Sequence, residues 1–246
     1  MTFADGLHAF LWRPSLLLIG FAVVFITIER LWPAEPDQKP WRRGSGLDLF
    51  FSYVNPIVIH PLNGLLIAWL VTTAIGLIGS RTHGALQAWV ASHPFWLQFG
   101  AALLVADLAS YWKHRIFHMR GLWPVHAVHH SATQIDWLTN ERDHPLQLLG
   151  TYLFVVPPLV LCGFGLELIA QVALLRRAYS LFTHANVRWS FGPLAPVFVS
   201  PTFHRWHHAS AAQMQGRNFA VFFSFFDVLF RTYASPPGRP RVFGLG

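Results

Sequence analysis

Apolar and polar residues follow one another in long blocks, not at the short periods of a strand or a soluble helix. Residues 7–28 are apolar except for His8 and Arg13. That run is long enough to cross a bilayer, which takes about 20 residues, and Arg13 near one end can snorkel. A polar, proline-rich stretch follows over 29–46, with Arg30, Lys39, Arg42 and Arg43. Residues 49–80 contain no Asp, Glu, Lys or Arg. They are too long for one straight span, and Asn55-Pro56 and His60-Pro61 predict a break, with a short first piece and a full span over 62–78. Residues 81–92 read as a short loop on the far side. Residues 94–112 read as another span, with one acid, Asp107.

Residues 113–145 are polar and rich in histidine. Residues 146–175 are apolar again, with Glu167 as the one charge. Val155-Val156-Pro157-Pro158 and Gly163/Gly165 interrupt this run and predict a hairpin of two short helices, which returns the chain to the side it left. An aromatic stretch over 219–230 suits a membrane interface, and 235–246 reads as a flexible tail. Arg and Lys cluster in 29–46, at Lys113-His114-Arg115 and at Arg176-Arg177, so the positive-inside rule puts these segments in the cytoplasm. The expected fold is all-α: a polytopic membrane helical bundle with a cytoplasmic histidine-rich helical cap. Its expected divisions are N-terminal spans and loops (1–93), a catalytic region (94–234) and the tail.

Composition agrees with the membrane class. The chain is 53% hydrophobic and 12% charged, against about 25% charged in soluble domains. Its formal net charge of +7 suits anionic lipid headgroups. The basic residues are dispersed among apolar runs, which argues against nucleic acid as a partner. The lone cysteine, Cys162, excludes an intramolecular disulfide and any cysteine-based iron–sulfur or zinc-finger site. The start lacks the basic region and cleavage site of a secretory signal, so the first apolar run is read as a retained anchor.

The chemistry lies in the histidines. KHRIFHMRGLWPVHAVHHS holds His114 and His118 at i, i+4, then His126, His129 and His130 at i, i+3, i+4; PTFHRWHHAS repeats the later spacing with His204, His207 and His208. Residues three and four apart share a helix face, so each cluster can aim two or three imidazoles at one point. His129 and His130 are adjacent and point differently, so such a pair can serve two ions. Asp107 and Tyr111 precede His114 by seven and three residues, on the same face. A buried acid there is expected to orient a metal-bound histidine through its second ring nitrogen. His8, His60, His83 and His93 stand alone and read as hydrogen-bonded structural residues. A zinc protease needs Glu after the first histidine, whereas HRIFH has Arg115. The number and type of donors point to a centre with more than one metal ion. Zinc in place of a redox metal, a metal transporter, and a purely structural cluster are the rival readings. A transporter is expected to carry its ligands at mid-membrane depth, and these lie at span ends.

The set H-x3-H, H-x2-H-H, H-x2-H-H resembles the fatty acid hydroxylase superfamily, which includes sterol desaturases. So do Tyr111-Trp112 before His114-Arg115, Leu122-Trp123 before His126, Ser131, Arg142, His144-Pro145, His184, Asn186 and Pro201. The resemblance covers about 95–233. It implies an integral membrane enzyme of the bacterial inner membrane or endoplasmic reticulum, with a histidine-bound centre of two iron ions, or zinc after purification. Dioxygen is the co-substrate, and a lipid is hydroxylated or desaturated. By position it implies His114, His118, His126, His129, His130, His184, His204, His207 and His208 as ligands, with His144 as a tenth candidate that could instead support the others from outside. Asp107, Tyr111, Asn140, Arg142, Asn186 and Asn218 are candidates to orient ligands or a polar substrate. The chain departs from the family at Gly216-Arg217-Asn218-Phe219-Ala220, which lacks the usual acid and final glycine. No flavin fingerprint, cysteine cluster or haem domain is visible, so an external electron donor is implied.

Overall fold

The computed structural model describes residues 3–245, with side chains from residue 15 onward. The readings of His8 and Arg13 fall on side chains outside the described residues. All regular elements among the described residues are helices, with two isolated bridges, Pro33 to Val187 and Ala209 to Phe243. The long helices are α1 (Phe3–Leu31), α2 (Ser45–Val54) running into α3 (His60–Ile78), α4 (Ser80–Ala91), α5 (Phe95–Phe117), α7 (Pro145–Leu161) and α8 (Leu166–His184). The short ones are α6 (Trp123–His130), α9 (Pro201–His207) and α10 (Phe225–Leu229).

The break expected within 49–80 is not a break. A π turn, Asn55–Ile59, joins α2 to α3, and His60 N–H bonds the Asn55 carbonyl. A wider turn relieves the clash a proline ring makes inside an α-helix, so Pro56 and Pro61 are carried without interruption. The result, Ser45–Ile78, is the one helix among the described residues long and apolar enough to cross a membrane. Its outer face carries Leu62, Leu65, Trp69 and Leu77, the last 85% exposed. Residues 81–92 are helical instead of a loop. Gly79, at φ 99°, turns the chain, and α4 then buries Val90 and bonds His83 Nε2 to the Val160 carbonyl at 2.8 Å.

The expected hairpin is present, but α7 runs through Pro157-Pro158 and ends at Leu161. Gly163, at φ 84°, makes the turn. Helix α5 packs along α7, and their apolar residues join α4 and α8 in one cluster that includes Ala102, Ala106, Leu159 and Val172. Gly150 allows the close approach, since a Cβ there would stand 2.5 Å from the Phe117 ring. The aromatic stretch is not confined to a surface. Phe219 and Phe226 are buried with Tyr111. The tail is tied down as far as it is described: Phe243 packs on Ala132 and Ile135, Ser210 N–H bonds the Val242 carbonyl, and Arg239 reaches the Ala34 carbonyl.

A buried ionic network fixes the polar end of the bundle. Arg42 bonds Asp136 through two nitrogens at 2.7 and 2.6 Å and Asp48 at 2.7 Å. Arg142 takes the other Asp48 oxygen and reaches Ser131 Oγ at 3.1 Å. Ser131 caps the C-terminus of α6, so the network ties residues 42–48 to the helix that carries three histidines. Removing one partner of a buried ion pair strands the other. Asp48→Ala is expected to cost about 3–5 kcal/mol, read as a lowered unfolding midpoint in detergent. A midpoint equal to that of the wild type would contradict this role.

Candidate metal centre

Nine histidines from four places in the chain meet at the end of the bundle. They divide into two groups, His114, His118, His126, His130 and His207, and His129, His184, His204 and His208, with donor atoms within 4.8 Å inside each group. The division crosses the repeated motif. From α6, His126 and His130 enter the first group and His129 the second. From α9 and its C-cap, His204 and His208 enter the second and His207 the first. The i, i+4 pair of each short helix stays together on one face, while the remaining histidine turns to the neighbouring group. Helix α5 completes the first group with His114 and its C-cap His118, and α8 completes the second with its last residue, His184. The two groups touch, with His130 and His208 stacked at 4.4 Å between ring centroids.

Hydrogen bonds fix which nitrogens face inward. His114 Nδ1 donates to the Phe219 carbonyl at 2.8 Å, His126 Nδ1 to Gln147 Oε1 at 2.6 Å, His207 Nδ1 to the Arg217 carbonyl at 2.8 Å and His184 Nδ1 to the Ser180 carbonyl at 2.8 Å. A neutral imidazole with Nδ1 protonated presents a bare lone pair at Nε2. Yet the Nε2 atoms of His114 and His126 face each other at 3.0 Å. In the second group, His184 Nε2 faces those of His129, His204 and His208 at 3.1, 3.0 and 3.2 Å. His118 Nε2 and His207 Nε2 are buried with no partner at all. Facing acceptors such as those of His114 and His126 repel one another unless a cation lies between them. All-nitrogen donor sets of four and five suit a transition metal such as iron or zinc.

Burial holds these rings neutral, as metal ligation requires. Desolvation pushes His126, His129, His130, His204 and His208 well below the usual imidazole range, and His207 down to about 4 against the pull of the Arg217 carbonyl. Neither group contains a carboxylate. The nearest, Asp143, stands 3.5 Å from His129 Nδ1, and burial pushes it up to about 7 despite the nearby Lys113. A cleft of about 370 Å³ opens over the centre, with His118, His130, His207 and His208 on its floor and Trp123, Arg120 and Leu245 in its wall.

The remaining sequence candidates lie outside the two groups. His144 caps α7, where its Nδ1 accepts from Leu146 N–H at 3.1 Å. Asp107 was expected to support a histidine. Instead it accepts the backbone N–H groups of Phe222 and Phe223 at 3.0 and 2.8 Å, with Arg176 at 3.8 Å. Two chain-turn amides satisfy that carboxylate better than a ring about two turns away could. Tyr111 OH pairs with Thr232 and Arg115. Asn140 accepts from Ser180 Oγ, on the residue whose carbonyl holds His184. Arg142 belongs to the ionic network. Asn186 binds Glu35 through both amide atoms. Asn218, at φ 61°, bonds Phe203 and Ala234. The two polar side chains that back ligand rings from outside, Gln147 at His126 and Asp143 beside His129, escaped the sequence reading. The signal for Gln147 was an amide opening an otherwise apolar helix.

Residues 99–232, more than half of the chain, match the family model described as fatty acid hydroxylase. Among curated proteins, the chain is similar to ornithine lipid hydroxylase OlsE of Rhizobium tropici, at 28% identity over 96% of this chain and 73% of that protein. It is also similar to alkylglycerol monooxygenase of Danio rerio, at 29% over 80% of this chain and 43% of that protein. Methylsterol monooxygenase 2-2 of Arabidopsis thaliana is 29% identical over 56% of this chain and 54% of that protein. No solved structure matches the chain.

The depressed imidazole values set a direction for pH. The unfolded histidine value is about 6.5, and the folded values lie below it. Unfolding in mild acid therefore takes up protons, and stability present above pH 6.5 is lost as pH falls. The unfolding midpoint of metal-free protein is expected to drop steadily between about pH 7.5 and 5. A flat or rising profile would contradict a buried neutral cluster.

Proposed function

The chain belongs to the fatty acid hydroxylase family, and on that footing we propose a membrane-bound oxidoreductase that uses dioxygen and two iron ions on an unactivated C–H bond of a lipid. The observation that carries this reading is the pair of histidine groups with inward Nε2 atoms 3.0–3.2 Å apart. His114, His118, His126, His130 and His207 would hold one ion, and His129, His184, His204 and His208 the other. Bound iron supplies the redox chemistry for dioxygen reduction and attack on an inert C–H bond. Zinc suits the same imidazoles but cannot change redox state.

The chain's own part is ligation, orientation and exclusion of water. Hydrogen bonds from Nδ1 hold four rings in one tautomer, and Phe219 and Trp123 pack their rings against His118 at 5.1 Å between centroids. The cleft over His118, His130, His207 and His208 is the entrance for dioxygen and for the reactive carbon of the substrate. Hydroxylation balances as R–H plus dioxygen, two electrons and two protons giving R–OH and water; desaturation of the same substrate gives an alkene and two waters. The electrons come from an external donor. The relatives named as ornithine lipid hydroxylase, alkylglycerol monooxygenase and methylsterol monooxygenase support a lipid substrate.

The membrane reading rests on Ser45–Ile78 and on the apolar character of α1, α5 and the α7–α8 hairpin. Together they form a polytopic bundle with the histidine-bearing cap on the cytoplasmic side, where Arg30, Lys39, Arg43 and Arg120 lie. The test is to express the chain in a bacterial host under heavy-isotope dioxygen and analyse extracted lipids. The expected result is a lipid product that gains one labelled oxygen or loses two hydrogens, present with the wild type and absent with His129→Ala or His207→Ala. An unchanged lipid profile from cells containing iron-loaded protein would contradict the assignment.

A further inference from the structure

Two histidines of the same short helix serve different groups, His126 the first and His129 the second. Both are backed from one place. Gln147 Oε1 accepts the His126 Nδ1 proton at 2.6 Å. The other end of the same amide, Nε2, donates to Asp143 Oδ1. That oxygen stands 3.5 Å from His129 Nδ1, a buried nitrogen that makes no hydrogen bond of its own. The amide orientation is determined by its neighbours: turned over, it would set N–H against the His126 N–H and oxygen against the carboxylate. Gln147 sits in the first turn of α7, on a helix start capped by His144, and it is buried. The backbone at Asp143 is held as well, by Asn55 Nδ2 at 3.3 Å to its carbonyl and by its own N–H to the Glu141 carbonyl at 2.8 Å.

The charges make the same place special. Nine neutral rings bring no negative charge to a centre that would hold two cations. Among the described residues, Asp143 is the one carboxylate within 4 Å of a ring nitrogen in either group. The bond to Gln147 aims it, and Gln147 in turn is anchored on the ring of the opposite group. The two rings are therefore linked without a metal between them, by hydrogen bonds from His126 through Gln147 to Asp143 and by the charge of Asp143 at 3.5 Å from His129 Nδ1.

Resting on the di-metal reading above, we propose that Gln147 and Asp143 form a positioning pair that couples the two groups. Gln147 sets the tautomer of His126 and aims Asp143. Asp143 sets His129 and supplies the counter-charge. Each group is then organised for its ion only when the other is.

Cobalt(II) is a suitable probe, because its visible absorption reports ligand number and geometry without turnover. Full-length protein in detergent is titrated with cobalt, as wild type, Gln147→Leu, Gln147→Glu and Asp143→Asn, with helical content and apo unfolding midpoints recorded for each. The wild type is expected to take up two cobalt ions. Gln147→Leu is expected to weaken both by on the order of 10–100-fold and to alter the bands of both. Gln147→Glu, which can still accept from His126 and share a proton with Asp143, is expected to restore most of the affinity and the spectrum. Asp143→Asn is expected to weaken the second group more than the first. If Gln147→Leu binds two ions with unchanged affinity and spectrum, or loses one ion while the other binds as in the wild type, the coupling is overturned. Should Gln147→Leu fail to fold, a folded Gln147→Glu without restored binding overturns it equally. Failure of the wild type to bind cobalt would instead count against the di-metal reading itself.

Discussion

Lone pairs that converge in a dry place cannot be left without a cation. That constraint governs this molecule. Eight of the nine imidazoles at the centre are buried, burial keeps them neutral, and the inward nitrogens of His114 and His126 lie 3.0 Å apart with no proton to share. Left to itself such a cluster repels. The surrounding structure must hold it together until metal arrives, and much of the polar end of the protein does this. Backbone carbonyls of Phe219, Arg217 and Ser180 and the amide of Gln147 each take an Nδ1 proton and turn a ring inward.

Those holders are themselves held. Asp227 accepts the N–H groups of Phe219 and Ala220, each at 2.8 Å, and Asp107 accepts those of Phe222 and Phe223. Two buried carboxylates thus clamp one turn of chain, and the carbonyl at that turn sets His114. Where the family's usual acid and glycine are missing around Gly216 and Ala220, Asn218 in the left-handed region and Asp227 from the following helix define the turn. On the other flank, Arg42, Asp48, Asp136 and Arg142 anchor the end of α6. The helices below provide a rigid base, with α5 and α7 in close contact across Gly150.

Much of this was legible in the sequence, because helical geometry turns spacing into direction. The i, i+4 pairs His114/His118, His126/His130 and His204/His208 each fall within one group, and the adjacent pairs His129/His130 and His207/His208 split between groups. The α7–α8 hairpin could be read from Gly163 and from the need to return. What escaped reading depended on contacts distant in sequence. A π turn looks like two proline breaks until its carbonyls are seen to be paired. Residues 81–92 have weak helical patterning and gain their order from α5 and α7. The tail lacks any periodicity, yet Phe243 finds a place against Ala132 and Ile135. Asp107 shares a helix face with His114, but backbone amides more than a hundred residues away satisfy it first.

The central claim is that these nine rings hold two ions and not one. Its most direct test is iron content per chain, measured on untagged protein purified in detergent after expression with ample iron. Two irons per chain are predicted, each group accounting for one. A folded protein that binds a single ion, or none, would contradict the claim.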